Sequence, residues 1–333
     1  MARIFIDGWE TGDTGNWKGE GGQPGYVTVI AAPAGMTGSY VMRCRSFSSF
    51  MGWVEKDVAN LDPIYMSFRM VMKAYGSFDP YILRLRNGAT TLLLLEVNVA
   101  TNRIKAWRDA STLIATSTAI FPVDTVKHIQ IRYVPHTSTG ILQIKIDDIL
   151  DIDFAGQSCA STNPIDNILI GMMRGFSSDV YFDDLVIDDA AWIGNSQISG
   201  LVPDGAGAST QFTPSAGANY TCVDETPPSA ADYVYTNTVA QDDLYTLDDL
   251  PADVIAVKSV QVSAVAWKDG GATPQNAELL VRSGGTIYPS GDKALPSSAG
   301  VNILHLWETD PDTAAAWAIA AVDALEAGVR SKT

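Results

Sequence analysis

Two carboxylates stand two residues apart in the run E-K-D-V-A-N at 55–60. If this run is a strand, Glu55 and Asp57 share one face, because successive side chains alternate between faces. Paired carboxylates on one face hydrolyse glycosidic bonds, with one as nucleophile and another as acid/base. The E-x-D-x-x-E pattern of such sites ends in a Glu, whereas this chain has Asn60. Because an amide cannot protonate a leaving group, we expect no catalytic residues here and no glycosidase activity.

Other catalytic and metal-binding motifs are missing from the sequence. The three histidines stand outside any H-x-x-x-H or H-E-x-x-H frame, and no G-x-S-x-G occurs. The three cysteines are widely spaced with no C-x-x-C pair, which argues against a disulfide framework and against a zinc site. The glycine pairs at 270–271 and 284–285 are predicted hairpin turns, because no Lys-Ser/Thr and helix follow them as in a phosphate loop.

Aromatic side chains are the remaining candidates for ligand contact, since the chain has eight Trp and twelve Tyr. Aromatic faces stack on pyranose rings, and we predict Trp53 and Trp107 as carbohydrate-binding residues. The alternative for each is core packing, the more common position of a large aromatic side chain in a β-sandwich.

Many short strands must position these residues. Polar and apolar residues alternate at 67–73, 83–86, 129–132 and 144–147, which predicts strands with one face on a core. Gly- and Asn-containing turns separate the runs, and no segment with helical periodicity precedes residue 300. The first part of the chain is therefore predicted to be an antiparallel β-sandwich.

Two sequence segments make this prediction more specific: F-I-D-G-W-E at 5–10 and Y-F-D-D-L-V-I at 181–187. They resemble the first and last strands of a concanavalin A-like (laminin-G-type) jelly roll, in which the closing strand pairs beside the opening one. The resemblance covers roughly residues 3–190. Some relatives hold calcium near the closing strand, which makes Asp183 and Asp184 candidate ligands. The residues themselves lack a spaced D-x-D-x-D-G loop, so we expect no cofactor, with calcium as the alternative.

The amino-acid composition of the chain changes after this domain. Residues 195–231 are rich in Gly, Ala, Ser, Thr and Pro, which predicts a connector or arm between domains 1–194 and 232–333. Strands are expected again at 233–235, 255–267 and 279–282. Asp310-Pro311 has the features of a helix start, residues 314–327 favour a helix, and Gly328 is its expected stop. The second domain is therefore predicted to be a small β-sandwich with one or two short helices.

Composition excludes several classes of partner. The net charge is −16, divided as −5 over residues 1–194 (16 basic, 21 acidic) and −11 over 195–333 (6 basic, 17 acidic). So acidic a surface repels phosphate backbones and anionic lipid, and we expect no nucleic-acid partner and no membrane partner. The longest apolar run, at 91–95, is also too short to cross a bilayer.

The phrases between 192 and 328 point to a biological setting. They run from W-I-G-N-S-Q-I through V-R-S-G-G-T-I-Y and W-E-T-D-P-D-T-A-A-A-W to A-V-D-A-L-E-A-G-V. Their order resembles a β-rich module of tailed-bacteriophage structural proteins. Within the module we predict assembly contacts by the tryptophans Trp267, Trp307 and Trp317.

The resemblance implies a non-enzymatic virion structural protein, assembled in the host cytoplasm. A head decoration protein or a tail-surface component is expected, with major capsid or tail proteins as partners and a homo-oligomeric state. The alternative is a carbohydrate-binding lectin for host-surface glycans or, ranked after it, a glycan depolymerase. Binding to a glycan array separates the lectin from a purely architectural protein.

Overall fold

The computed structural model describes residues 3–270, 274–297 and 300–333, which form two compact units, Met1–Ile198 and Ser199–Thr333. The strands of unit 1 are β1 (Arg3–Asp7), β2 (Gly19–Gly22), β3 (Val27–Ala31), β4 (Tyr40–Phe47), β5 (Phe50–Leu61), β6 (Ile64–Ala74), β7 (Tyr81–Asn87), β8 (Thr90–Asn98), β9 (Arg103–Arg108), β10 (Thr112–Thr116), β11 (Val126–Val134), β12 (Gly140–Ile146), β13 (Ile149–Gly156), β14 (Ile165–Arg174) and β15 (Asp179–Asp188). In unit 2 the elements are β16 (Pro203–Thr210), β17 (Thr213–Pro214), a 3₁₀ turn (Tyr220–Cys222), β18 (Val234–Tyr235), β19 (Asp242–Leu247), β20 (Val260–Ala266), β21 (Asn276–Ser283), β22 (Thr286–Pro289), β23 (Lys293–Ala294), β24 (Val301–Trp307), α1 (Ile319–Asp323) and β25 (Glu326–Lys332).

Unit 1 is an antiparallel β-sandwich of the jelly-roll kind. Sheet I has the strand order β3-β4-β15-β6-β11-β12-β13, and β1 also pairs with β15. Sheet II has the order β10-β9-β8-β7-β14-β5-β2, and the β4–β5 hairpin joins the two sheets. Fully buried side chains from both sheets, such as Phe68 and Phe182 of sheet I and Val54 and Leu83 of sheet II, form the core. The predicted fold class is confirmed.

The opening and closing strands pair as the sequence predicts. Phe5 lies opposite Ile187 and Asp7 lies opposite Leu185 in an antiparallel register. The closing strand is buried over nearly its whole length, because β6 covers its other edge. The phrase F-D-D-L-V-I is therefore a central strand of sheet I.

Unit 2 is built on the sheet β16-β19-β25-β21-β22, with β23 also on β21. The antiparallel strand pairs β17–β18 and β20–β24 complete its strands within the described residues. A two-residue turn at Gly284 and Gly285 joins β21 to β22, and both glycines have positive φ, as the predicted hairpin turn requires. Of the other predicted glycine turn, Gly271 lies outside the described residues.

The segment 195–231 is a strand in its central part and is not an arm. Its first four residues belong to unit 1, and β16 pairs with β19 along the edge of the sheet in unit 2. The small residues reflect close packing, since a Cβ added at Gly207 would lie 2.6 Å from the Leu244 carbonyl oxygen. Small residues such as Gly and Ala, which favour a linker in the sequence, here allow a strand to pack closely against its neighbour.

The predicted helix over 314–327 is mostly absent from the described structure, where α1 spans Ile319–Asp323. Gly328, the predicted stop, lies inside β25, which pairs with β19 on one side and β21 on the other. Strand pairing on both edges of β25 therefore ends the helical segment before Glu326, despite the helix propensity of the residues that precede it. Asp310 caps a turn: its carboxylate accepts hydrogen bonds from Ser283 Oγ and from the Asp312 N–H.

No helix in the described part of the chain is long and apolar enough to span a bilayer.

Candidate functional site

The outward face of sheet II carries the two carboxylates found in the sequence. Glu55 and Asp57 alternate along β5 with the buried Val54 and share the outward face, as predicted. On the neighbouring strand β14, Leu169 lies opposite Glu55 and Asn167 lies opposite Asp57. Two rows of outward-facing side chains therefore cross the sheet, one that begins at Glu55 and one that begins at Asp57. We call each row of paired residues a level.

The level of Glu55 crosses five strands. Leu169 pairs with Arg84 on β7, Arg84 pairs with Leu94 on β8, and Leu94 pairs with Trp107 on β9. We call the outward face of β5, β14, β7, β8 and β9 the concave face. Arg84 belongs to the strand in the middle of sheet II, so this guanidinium lies near the centre of the face.

Several outward side chains of this face are nevertheless buried. Leu94, Asn167 and Leu169 point away from the core, yet their exposures are only 1%, 5% and 3%. An outward side chain on a flat sheet is open to solvent, whereas here the longer side chains of adjacent strands surround these residues. The concave face is therefore a trough across the strands.

One end of the trough is a polar network around Asn167. The Asn167 amide donates hydrogen bonds of 2.9 Å to Glu55 Oε1 and to Asp57 Oδ1, and its own Oδ1 accepts one from Arg86 Nε at 2.9 Å. Lys18 Nζ lies 3.2 Å from Glu55 Oε1 and 3.0 Å from Asp57. A cavity of about 610 Å³ opens beside this network and is lined also by Asn60, Asp166 and Gly88.

The cations of this network lie close to both carboxylates and favour the ionised form of Asp57. The hydrogen bond from Lys18 is the main cause that lowers the pKa of Asp57, and Asn167 adds to it. Arg86 lies 3.4 Å from Glu55, so Glu55 also faces two cations. A general acid must hold a proton near neutral pH, and the surroundings of Asp57 favour its loss. The geometry therefore fits hydrogen-bond acceptors better than a hydrolytic pair.

A second polar group lies at the opposite end of the strands. Glu96 on β8 is 4% exposed, and Lys105 on β9 lies 3.5 Å from its carboxylate. Burial is the main cause that raises the pKa of Glu96, and the neighbouring carboxyl of Asp79 adds to it. Near it, Arg174 donates to the Tyr81 hydroxyl at 2.6 Å. Glu96 and Glu55 are three strands apart, or about 14 Å, which exceeds the separation of a glycosidase pair.

Two donors at the middle level of the trough have no partner. Arg84 Nε and Trp107 Nε1 are buried and make no hydrogen bond to any described residue. The Arg84 guanidinium lies over the Tyr81 ring, 5.3 Å from its centroid, and burial lowers the pKa of Arg84. Buried donors are usually paired, so these two mark a position where a ligand can supply acceptors.

The structure places both predicted carbohydrate-binding tryptophans on the concave face. Trp53 on β5 lies against the neighbouring strand, since a Cβ added at Gly21 would be 2.2 Å from Trp53 Cε2. Trp107 lies four strands away on β9, which is about 19 Å at the usual strand spacing. The two rings therefore flank the trough.

The predicted calcium ligands are buried in sheet I and already have hydrogen-bond donors. Asp183 accepts from the Thr37 N–H at 3.2 Å, and Asp184 pairs with Arg69 Nε at 2.7 Å. Burial, together with the charge of Asp184, raises the pKa of Asp183. A calcium ion would have to displace Arg69 from Asp184. Within the described ranges, no group of three or more His, Cys, Asp or Glu is arranged to hold a metal ion.

The three tryptophans predicted to make assembly contacts differ in their surroundings. Trp307 and Trp317 are core residues of unit 2, with exposures of 8% and 4%, and Trp317 Nε1 donates to the Trp307 carbonyl at 3.0 Å. Their rings pack against the inner side of β21 and so do not form a contact surface. Trp267 instead packs edge-on against the partly exposed Tyr233, 5.8 Å between ring centroids. An assembly contact by these tryptophans therefore depends on Trp267.

The sequence analysis did not identify the residues that form hydrogen bonds and ion pairs with the two carboxylates, nor the arginine at the centre of the face. Arg84 and Arg86 stand in the run L-R-L-R, whose alternation already places both arginines on one outward face. Lys18 and Asn167 carry no comparable signal, because they are 37 and 112 residues from Glu55 and only the strand register brings them together.

Comparison with known proteins gives no family model that matches this chain and no matching curated protein. Among solved structures, it is similar to a cellulose-induced protein, Cip1, with 13% identity over 58% of this chain and 100% of that chain (TM-score 0.47). It is similar to domain 4 of AbnA, an extracellular arabinanase from Geobacillus stearothermophilus, solved with arabinotriose, with 9% identity over 57% and 93% (TM-score 0.42). It is also similar to the alginate lyase Aly36B, with 13% identity over 52% and 88% (TM-score 0.37). None of these identities exceeds 13%, so the function of this chain is inferred from its own concave face.

Proposed function

We propose that this protein binds glycan chains on the concave face of unit 1 without cleaving them. The observation that carries the proposal is the row Glu55–Leu169–Arg84–Leu94–Trp107, which crosses five strands on one face of sheet II. A row of this length matches an extended polymer better than a small molecule, which favours a closed pocket.

The chemistry of the trough suits a sugar polymer. A sugar ring presents hydroxyl groups at its edges and an apolar C–H surface on its faces. The Asn167 network supplies donors and acceptors for hydroxyls, while Leu94 and Trp107 supply apolar surface on the same level. Binding without cleavage is supported by Asn60 at the acid/base position and by the cations that surround Glu55 and Asp57.

The test is a glycan array followed by titration of any retained polysaccharide. We expect Trp107→Ala to weaken binding about tenfold or more, close to 1.4 kcal/mol. Trp192→Ala is the matched control, because Trp192 contacts Lys145 and Tyr65 of sheet I. Equal losses in the two variants would place the binding surface elsewhere. Measured cleavage of the retained polysaccharide, lost in Glu55→Gln, would contradict a role without catalysis.

As the biological setting, we propose a virion structural protein on the head or tail surface. The order of phrases in residues 192–328 supports it, as does the partly exposed aromatic group of Trp267, Tyr233 and Tyr235 in unit 2. Unit 2 would then contact other virion proteins while unit 1 presents the trough. Mass spectrometry of purified particles tests this setting, and a chain found only in the unassembled host fraction would refute it.

A further inference from the structure

Arg84 differs from Lys18, Arg86 and Lys105, the ion-paired cations of the concave face. Lys18 and Arg86 face Glu55, and Lys105 faces Glu96, all within 3.5 Å. Arg84 forms no ion pair with any described residue, and its Nε is buried without a hydrogen-bond acceptor. Its guanidinium lies over the face of the Tyr81 ring, and the like charge of Arg86 also acts on it.

A guanidinium in this position is costly for the unbound protein. Moving a cation out of water costs free energy that an anion or several acceptors normally offset. Burial is the main cause that lowers the pKa of Arg84, which shows the same desolvation. Arginine remains charged in proteins, so the deficit is met only by a group that brings negative charge or acceptors.

Trp107 provides a second unpartnered donor on the same level. Its Nε1–H is buried without an acceptor, and an indole nitrogen can only donate. Leu94 pairs with both residues, so Arg84 and Trp107 stand two strands apart, about 10 Å between their backbones, with Leu94 between them. Both side chains are long enough to approach one group held above the leucine.

We propose that the bound glycan is acidic, and that its carboxylate or sulfate oxygens accept hydrogen bonds from Arg84 and from Trp107 Nε1 above Leu94. This inference rests on the proposed glycan-binding function and specifies the class of its ligand. Guanidinium binds planar carboxylates and sulfate oxygens through two parallel hydrogen bonds, which a sugar hydroxyl cannot reproduce with charge.

The position of the acidic group follows from the charges around it. Carboxylates already surround the Lys18–Arg86 end and the Lys105 end, and they would repel an incoming anion. Arg84 at the centre and Arg103 on β9 are the cations of this face that form no ion pair among the described residues, and of the two only the Arg84 Nε is buried without an acceptor. The net charge of −16 also opposes unspecific attachment of polyanions, so retention of an acidic glycan requires a specific site.

The experiment titrates the full chain with a uronic-acid oligosaccharide, with the same oligosaccharide after reduction of its carboxyl groups, and with a sulfated neutral oligosaccharide. We expect at least one acidic ligand to bind tenfold or more tightly than the carboxyl-reduced chain. A preference for the uronate identifies a carboxylate as the ligand group, and a preference for the sulfated chain identifies a sulfate ester.

Variants test the assignment to Arg84. In Arg84→Gln the ratio of acidic to carboxyl-reduced affinity should fall to near one, whereas Arg132→Gln, on sheet I, should keep the wild-type ratio. Trp107→Phe retains the ring without its N–H donor and should lower the same ratio about threefold to tenfold. If Arg84→Gln does not fold, the ratio of acidic to carboxyl-reduced affinity in Trp107→Phe still tests the assignment of the acidic group to this site.

The outcomes separate this inference from the proposed function. Equal binding of the acidic and carboxyl-reduced chains by the wild type would overturn the acidic ligand while leaving glycan binding in place. An acidic preference that survives in both Arg84→Gln and Trp107→Phe would overturn the site. Absence of binding to all glycans on an array would overturn the proposed function itself.

Discussion

Asp7 at the end of β1 is the group whose titration we expect to control the stability of unit 1. Its carboxylate is 4% exposed and accepts hydrogen bonds from the Trp9 N–H at 2.8 Å and from Trp17 Nε1 at 2.7 Å. Burial outweighs these bonds and raises the pKa of Asp7 to about 7. The perturbation we consider is Asp7→Asn, which keeps the shape and removes the titration.

The direction of the pH effect follows from the raised pKa. Between pH 3.8 and 7 the folded state holds the Asp7 proton while the unfolded state has lost it, so stability falls as pH rises through this window. The pKa difference of 7 − 3.8 = 3.2, at about 1.36 kcal/mol per pH unit, corresponds to about 4 kcal/mol. Relative to Asp7→Asn, the wild type should therefore lose about 4 kcal/mol of unfolding free energy between pH 4 and pH 7.5.

The measurement is urea denaturation of both proteins from pH 4 to pH 8, followed by hydrogen exchange of peptides from β1 and β15. These peptides report unit 1 alone, so the transition of unit 2 does not interfere. Other titrating groups cancel in the difference between the two proteins. Asp153→Asn, which removes an exposed carboxylate from β13, controls for the loss of one negative charge. A wild-type minus Asp7→Asn difference that stays constant over this range would refute a protonated Asp7 in the folded state.

Two further predictions concern unit 2. Gly328→Ala should destabilise unit 2 by about 3 kcal/mol in urea denaturation, because the added Cβ would lie 1.9 Å from the Asp243 carbonyl oxygen in the adjacent strand. Gly19→Ala, where no atom lies within 4 Å of the new Cβ, is its control, and equal effects would contradict the packing argument. Limited proteolysis should cut first within the exposed residues 227–231 and spare the hydrogen-bonded β16, and first cleavage inside β16 would show that this strand is not stably paired.

The sequence predicts the fold of unit 1 well because its signals are local. Alternation at 83–86 and 129–132 identifies strands β7 and β11, and the phrases at 5–10 and 181–187 identify the pair that closes the sandwich. Unit 2 is less predictable. Residues 314–327 favour a helix locally, whereas only Ile319–Asp323 are helical and the last two residues of the region already belong to β25, which is paired on both sides with strands distant in sequence.

The candidate site is predicted only in part, for the same reason. Period-two alternation is enough to place Glu55 and Asp57 on one face of a strand. The aromatic side chain of Trp107 is enough to make it a candidate for carbohydrate contact. Asn167 stands in the run I-D-N-I-L-I-G, where nothing local distinguishes it from an isolated polar residue of a strand. Its role follows from the register of β14 between β5 and β7, which a sequence pattern does not contain.

The two arginines of β7 show how register produces different chemistry from the same residue type. Arg86 lies beside Asn167 and contacts the carboxylate of Glu55, so its charge is offset within the protein. Arg84, two residues earlier on the same face, lies between Leu169 and Leu94, and neither neighbour can accept a hydrogen bond with its side chain. Glu55 stands at the level of Arg84, but Leu169 separates them. The face therefore has one end where the charges are offset within the protein and a centre where the Arg84 charge has no ion-pair partner among the described residues, and under the proposed function these two places would hold different groups of a bound chain.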